Sequence, residues 1–365
     1  MNTQPAQSIS GGAAGIALLH LERARTGTGP WEKANAWLEA AVREGASTGT
    51  NACLYFGAPA LAFVLHGGAG RPGYAQALAT LDTGTRAVVR ARLAAAHRRI
   101  DAGDRPALGE FDLISGLTGL GVCQRRRGDL DLLRQVLSYL VRLTEPIHGL
   151  PGWWTLSSTG RTVGDHPGGH SNHGMAHGIS GPLALLSLAM RDGIEVEGQA
   201  EAIHRLCAWL DHWERPHERG AWWPETVTLT DLRRGRPAQA VPLRPSWCYG
   251  TPGIARAQQL AALATGDLTR RHRAEAAFVG CVNDPGQLGR IIDPSMCHGT
   301  AGLLATGRRI AEDAVTEIPL HTLMKIHQGE AVTPDTPPGF LVGRAGVELA
   351  FHTTVTNWDA SLLLI

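Results

Sequence analysis

Nowhere in the chain do apolar residues continue for the roughly 18 positions that a membrane-spanning helix needs, so a membrane span is not expected. An excess of charge of either sign is also missing. Lys and Arg total 34 against 33 Asp and Glu, a net charge of +1, with no long basic block. Nucleic acid is therefore a poor main partner. The first residues, Met1 to Gln7, are polar, with no charged start and no apolar core behind them. No secretory signal is expected, and the chain reads as a soluble cytoplasmic protein. Cysteines are few: Cys53, Cys123, Cys207, Cys248, Cys281 and Cys297. In a chain of this length without a signal, they read as reduced thiols or metal ligands rather than disulfides. Strand signals are thin, and only Thr226 to Thr230 alternates weakly, as a short hairpin arm would. No linker cuts the chain, so residues 1–365 are expected to form a single domain.

Glycine, by contrast, is abundant, at 45 of 365 residues, well above the usual ~7%. Much of it recurs as Gly-x-x-Gly, opening a run of small and aliphatic residues. The motif stands at Gly12 to Gly15, Gly116 to Gly119, Gly178 to Gly181, Gly250 to Gly253, Gly299 to Gly302 and Gly343 to Gly346. A weaker version ends in alanine, at Gly57 to Ala60. Successive starts lie roughly 45–70 residues apart, room for two helices and two connections per unit. Between the motifs lie amphipathic stretches with helical spacing, such as Leu130, Leu133, Val136, Leu137, Leu140 and Val141 after Asp129. Ile203, Leu206, Cys207, Leu210 and Trp213 form another. The pattern predicts an all-α fold, an α/α toroid of seven helical hairpins with a Gly-led inner ring and an amphipathic outer ring. Small residues at each inner-helix start let it pack closely on its neighbours.

Long connections run from Gly149 to Gly169, Gly220 to Pro245 and Gln328 to Gly339. Two of them precede units that carry polar motifs, and they are expected to shape the mouth of the barrel. The second holds Trp222, Trp223, Arg233, Arg234 and Arg236.

Reactive side chains gather just before the motif in units three to six: Asp112, then His177, then Cys248, then Cys297 and His298. The stretches Trp247-Cys248-Tyr249-Gly250-Thr251-Pro252-Gly253 and Met296-Cys297-His298-Gly299-Thr300-Ala301-Gly302 are nearly the same heptad. Four neighbouring inner helices would turn these groups into one space. Two thiolates and an imidazole make a three-ligand zinc set with the fourth tetrahedral position open. Thiolate favours zinc over magnesium or calcium. Three other readings stand beside this one. The plainer reading, two buried core cysteines at Cys248 and Cys297, leaves the adjacent His298 and the shared heptad unexplained. The i, i+4 pair His173/His177, with His166 and His170 close by, has the spacing of a second metal site. Asp112 suits a helix cap.

These motifs resemble the lanthionine synthetase C-like family, the cyclases that close thioether rings in lantibiotic-type peptides. The resemblance rests on Asp112 to Gly119, Asn172 to Gly178, Arg244 to Gly250, Cys297-His298-Gly299 and the end Asn357-Trp358-Asp359 with Leu362 to Leu364. It spans nearly the whole chain. It implies a helical toroid with zinc held by Cys248, Cys297 and His298. His177 and Asp112 are implied as acid/base groups, and Arg244 as an active-site arginine. The implied reaction adds a peptide cysteine thiolate to dehydroalanine or dehydrobutyrine in a dehydrated precursor peptide. A separate dehydratase makes those residues; that dehydratase and an exporter are the further partners the family suggests. Two departures stand out: His173 replaces an aliphatic residue, and the chain is short. A substrate-binding subdomain of some members would then be reduced to residues 220–245. The alternatives are addition of an external thiol such as glutathione, a zinc-bearing peptide-binding module without catalysis, and zinc prenyl transfer on a helical toroid. The Gly-x-x-Gly register and the Asp112/His177 pair disfavour the last.

Overall fold

A computed structural model describes residues 5–157, 166–330, 332–352 and 354–365. In chain order the elements are α1 (Ala13–Arg25), α2 (Trp31–Val42), α3 (Ala58–His66), α4 (Tyr74–Asp101), the single turn α5 (Leu108–Phe111), α6 (Leu117–Arg127) and α7 (Leu130–Leu143). Strand β1 (His170–Asn172) precedes α8 (Ser180–Arg191) and α9 (Gln199–Trp213). Then come β2 (Thr226–Thr228), the short α10 (Leu229–Arg234), α11 (Thr251–Thr265), α12 (Leu268–Val282) and the turn α13 (Pro285–Leu288). Helices α14 (Thr300–Asp313), α15 (Leu320–Gly329) and α16 (Arg344–Leu349) lead to a 3-10 turn at Trp358–Leu362.

The Gly-led helices α1, α3, α6, α8, α11, α14 and α16 form the inner ring. In α3 every residue from Ala58 to Leu65 is buried, and in α8 every residue from Ser180 to Ala189. Their partners bury one face only: Ala34 and Ala41 in α2, Leu323 and His327 in α15. On α7 the expected apolar face is buried except Leu130, which is 40% exposed at the helix start. Asp129 caps α7 by accepting from the Leu132 N–H at 3.4 Å. No helix among the described residues is long and apolar enough to cross a membrane.

The repeated glycines act differently from the expectation. They seat each helix start on loops rather than on neighbouring helices. A Cβ on the second glycine of a motif would strike the carbonyl oxygen six residues earlier in its own entering loop: Leu113 for Gly119, Trp247 for Gly253, Met296 for Gly302. It would also press on the equivalent residue of the preceding unit: Leu54 for Gly119, Met175 for Gly253, Met296 for Gly346. The same rule carries unit one onto unit seven, since Gly15 lies against Phe340. The ring is therefore closed.

Backbone hydrogen bonds tie the entering loops in one register around the rim. Leu113 N–H donates to Ala176 O (3.1 Å), Ala176 to Cys248 (3.2 Å), Cys248 to Cys297 (3.2 Å), Cys297 to Leu341 (2.8 Å) and Leu341 to Ser10 (2.9 Å). Ile9 N–H donates to Tyr55 O at 3.1 Å. The C-terminal segment fills the middle of the ring. Ser361 O accepts from Tyr55 Oη at 2.9 Å, Leu362 O from Trp247 Nε1 at 2.9 Å, and Ile365 O from Arg125 Nη1 at 2.9 Å. A segment that touches units two, three and five at once must lie near the ring axis.

The expected hairpin arm at Thr226 to Thr230 is corrected. Only Thr226–Thr228 is extended, and it pairs antiparallel with the distant β1, His170 opposite Thr228. Leu229 begins α10 because Thr228 and Asp231 form a reciprocal capping box. Of the Gly149 to Gly169 connection, residues 158–165 lie outside the described residues.

Candidate metal centre

In units three, five and six a polar side chain four positions ahead of the first glycine holds the turn before the inner helix; in unit four that position is Gly174, whose N–H donates to Asn172 Oδ1 at 2.9 Å. In unit three Asp112 Oδ1 accepts from the N–H groups of Ser115 (2.6 Å) and Gly116 (2.8 Å). In unit five Ser246 Oγ accepts from Tyr249 (3.4 Å) and Gly250 (3.1 Å). In unit six Ser295 Oγ accepts from His298 N–H at 3.3 Å. These contacts tie down the entering loop and its last residues rather than the first turn of the helix, which has no side-chain cap, and they fix the loop side chains that follow.

Cys248, Cys297 and His298 come together. One ligand atom from each lies within 4.8 Å of the others. The Cys248 N–H bond to Cys297 O pins the two loops together. All six cysteines are free thiols, but they are not alike. Burial pushes the Cys123 and Cys281 thiols far up and Cys207 up to about 12, the behaviour of inert core residues. Cys248 goes the other way. A hydrogen bond from Cys297, then one from His298, holds it well below the ordinary thiol range despite its burial. Cys297 is raised, because it shares its proton with Cys248 and is itself buried. The reading as two core cysteines does not account for this. Two sulfurs and an imidazole gathered so closely fit a zinc ion.

His298 is oriented from behind. Its Nε2 lies 3.0 Å from Asp293 Oδ2, leaving Nδ1 for a ligand. Asp293 Oδ1 is anchored in turn by Ser295 N–H at 2.8 Å. The bond to Asp293 raises His298 to about 9. Burial opposes ionisation of Asp293, but hydrogen bonds from His298 and Ser295 outweigh it and keep the carboxyl well below the usual range. Asp293 was missed in the sequence. Its signal was an acidic residue four positions ahead of Cys297, where the matching register of unit five holds Arg244.

Across the mouth, His177 Nδ1 lies 2.6 Å from Asp112 Oδ2. Asp112 thus holds the loop turn with one oxygen and His177 with the other; the expected helix cap is corrected, since α6 has Gly116 as its N-cap and no side-chain cap. The Asp112 side chain is 2% exposed and that of His177 36%. The imidazole Nε2 is left facing the opening without a protein partner among the described residues. Burial alone would lower the His177 pKa; the hydrogen bond and charge of Asp112 outweigh it, and the net shift is upward. The His177 ring sits tilted beside Tyr249 at 6.1 Å between centroids, and Gly174 lies against the Cys248 carbonyl and the Tyr249 ring. The loops of units four and five therefore share one mouth. Arg244 is half-buried four residues before Cys248, with no hydrogen-bond partner among the described residues. Its positive charge acts on Cys297 and His298.

The other histidines do not join. His173 is fully buried and accepts from Trp209 Nε1 at 2.9 Å, and burial lowers its pKa to about 3. The i, i+4 pair with His177 makes no metal site. His170 is buried as well, its ring tilted at 50° against His166 with centroids 4.5 Å apart.

Comparison with known proteins identifies the family and the fold. Residues 5–363 match the family model described as lanthionine synthetase C-like protein. The nisin biosynthesis protein NisC of Lactococcus lactis subsp. lactis is 26% identical over 205 residues, covering 53% of this chain and 48% of that protein. The match thus spans about half the length of that relative. The solved structure of nisin cyclase superposes with a TM-score of 0.84 over 99% of this chain and 92% of that one, at 23% identity. It shares the helical toroid fold. A glycine-led ring, a rim bearing two thiols and an imidazole, and a family match over nearly every residue lead to one assignment: the chain belongs to the lanthionine synthetase C-like family.

Proposed function

We propose that the chain is a zinc-dependent lanthionine cyclase. It would add a cysteine thiolate of a dehydrated precursor peptide to dehydroalanine or dehydrobutyrine in the same peptide, forming a lanthionine or methyllanthionine ring. The observation that carries this reading is the gathering of Cys248, Cys297 and His298 within 4.8 Å, beside a His177–Asp112 pair that faces the same mouth.

Cys248, Cys297 and His298 would hold the zinc, which when bound supplies the acidity that turns a peptide thiol, pKa ~8.5 when free, into a thiolate at neutral pH. The addition forms one C–S bond at the β-carbon and leaves a proton to be delivered to the α-carbon. His177 would deliver it from Nε2, a reading supported by the Asp112 contact that fixes Nδ1 and favours the protonated ring. The thiol proton leaves as the α-carbon gains one, so mass is unchanged. Arg244 supplies positive charge at the rim where negative charge develops. Residues 1–365 would act as one cyclase unit, with 220–245 contacting the peptide. The six reduced thiols suit the cytoplasm.

The test uses one dehydrated peptide, no added thiol, and thiol blocking followed by mass spectrometry. Loss of free thiol without mass change supports ring closure. If Cys297→Ala closes rings at the wild-type rate above the spontaneous background, the proposal fails. Reaction only after glutathione is supplied would favour external thiol addition. Peptide retention without either product would leave a zinc-bearing binding module.

A further inference from the structure

Several arginines on this protein are paired with carboxylates. Arg99 pairs with Glu110 at 2.5 Å, Arg125 with Asp192 at 2.6 Å, Arg270 with Asp211 at 2.7 Å and Arg309 with Asp359 at 2.5 Å. Arg233, Arg234 and Arg236 are exposed and form no ion pair with any described residue. They follow β2, in the segment that pairs with the strand leading to His177.

Two of them line a groove of about 490 Å³ together with Arg215, His217, Trp222 and Gln239. No carboxylate lines it. Of the nearby acids, Glu214 pairs with Arg273 at 2.7 Å and Asp231 sits in the capping box, while Glu218, next to His217, is exposed and does not line the groove. Asp284 lies 3.8 Å from His217 but turns its oxygens to Gly286 and Gln287 at 2.8 and 2.9 Å. The walls are built rather than loose. Arg215 and Trp222 exchange backbone bonds at 2.9 and 3.0 Å. Asp231 Oδ1 holds Ala238 N–H at 2.7 Å, and Gln239 Oε1 holds Glu225 N–H at 3.0 Å.

The groove also leads to the metal centre. From Ala240 the chain reaches Arg244 in four steps, at most about 14 Å of extended backbone. Val241 and Leu243 on that stretch are 47% and 36% exposed, an apolar track between the arginines and the rim.

We propose that this groove binds an acidic stretch, Asp or Glu side chains, in the peptide substrate outside the residues that become rings. The inference rests on the cyclase reading for the identity of the peptide, but the groove's ligand chemistry does not. Uncompensated guanidiniums in a concave, carboxylate-free wall select carboxylates by charge and fork geometry. Nucleic acid fits less well. The patch is short, and Trp222 is only 4% exposed, so it offers no open face for a base.

The test measures fluorescence anisotropy of a labelled peptide carrying four Asp/Glu residues, against its Asn/Gln counterpart, on the full chain. The acidic peptide is expected to bind tighter, with the difference shrinking at about 0.3 M salt. The double variant Arg234→Glu/Arg236→Glu should weaken it by about tenfold or more, while Arg234→Lys/Arg236→Lys largely restores it. Equal binding of both peptides, or unchanged binding in the charge-reversed variant, overturns the proposal. So does displacement of the acidic peptide by an oligothymidylate at lower concentration than by unlabelled acidic peptide. A second arm follows ring closure of one dehydrated peptide with and without an acidic stretch: wild type should show a lower KM for the acidic form, the charge-reversed variant should erase that difference, and a difference that persists in the variant overturns the proposal. If wild type closes no ring yet binds the acidic peptide through these arginines, the cyclase reading fails and the groove stands.

Discussion

Asp112 and His177 come from different units of the ring and meet at 2.6 Å. The contact uses one carboxylate oxygen, and the other holds the turn before α6 through Ser115 and Gly116. A substitution that keeps the shape but removes the charge therefore separates the two jobs.

Asp112→Asn should keep the helix start and lose the charge that raises the His177 pKa. Ring closure is expected to fall by about a hundredfold, and the alkaline limb of the rate profile to move to lower pH. The same pair predicts a stability trend. Because His177 holds its proton more tightly when folded, its contribution is complete below its ordinary value of ~6.5 and is lost as pH rises through the raised value. Urea midpoints of wild type measured from about pH 5 to pH 9 should show that decline, and Asp112→Asn should flatten it. An unmoved rate profile would deny the pair its role.

Cys248→Ala and Cys297→Ala should each abolish zinc retention, since either leaves two protein ligands of the original three. Metal content by mass spectrometry after gel filtration reads this directly. Wild type should melt at lower temperature after treatment with a chelator, and the variants should show no such difference.

Asp293→Ala removes the group that orients His298 Nε2. Zinc affinity should drop about 10- to 100-fold with the fold retained. Competition with a chromogenic chelator measures the loss. Affinity equal to wild type would mean that packing alone sets the imidazole.

Gly302→Ala tests the close approach of α14 to its entering loop. In an ordinary helix this change stabilises by up to about 1 kcal/mol. Here the new Cβ would collide with the Met296 carbonyl and approach Trp247 Cβ, so a loss of about 1–3 kcal/mol is expected in urea unfolding. Zinc affinity should fall with it, because Met296 immediately precedes Cys297. Unit two already carries Ala60 at this position, buried in α3; there Ala60→Gly should cost only about 0.5–1 kcal/mol.

Several features were readable because they are local or repetitive. The glycine period announces seven helix starts, since close backbone approach tolerates no Cβ. The face of α9 follows from its spacing alone, and Ile203, Leu206, Cys207, Leu210 and Trp213 are all buried as read. Two matching heptads put Cys248 and Cys297 at equivalent points of adjacent units, which is enough to place both sulfurs at one rim once the units are stacked. Other features were hidden because they depend on partners far along the chain. The i, i+4 spacing of His173 and His177 suggested joint ligation, yet Trp209 draws His173 into the core. Thr226 to Thr228 looked like half of a hairpin, but its partner strand lies beyond α8 and α9.

By itself, then, the order of residues determined the repeat, the helical architecture and which thiols and imidazole are the candidate metal donors, because periodicity and residue chemistry need no coordinates. Tertiary structure decided the rest. Closing the ring through Gly15 and Phe340 brings units three to six around one opening. Only there do Asp293 reach His298 and Asp112 reach His177. Only there are the paired arginines told apart from the unpaired ones, since a side chain's charge partner is set by folding and not by spacing along the chain.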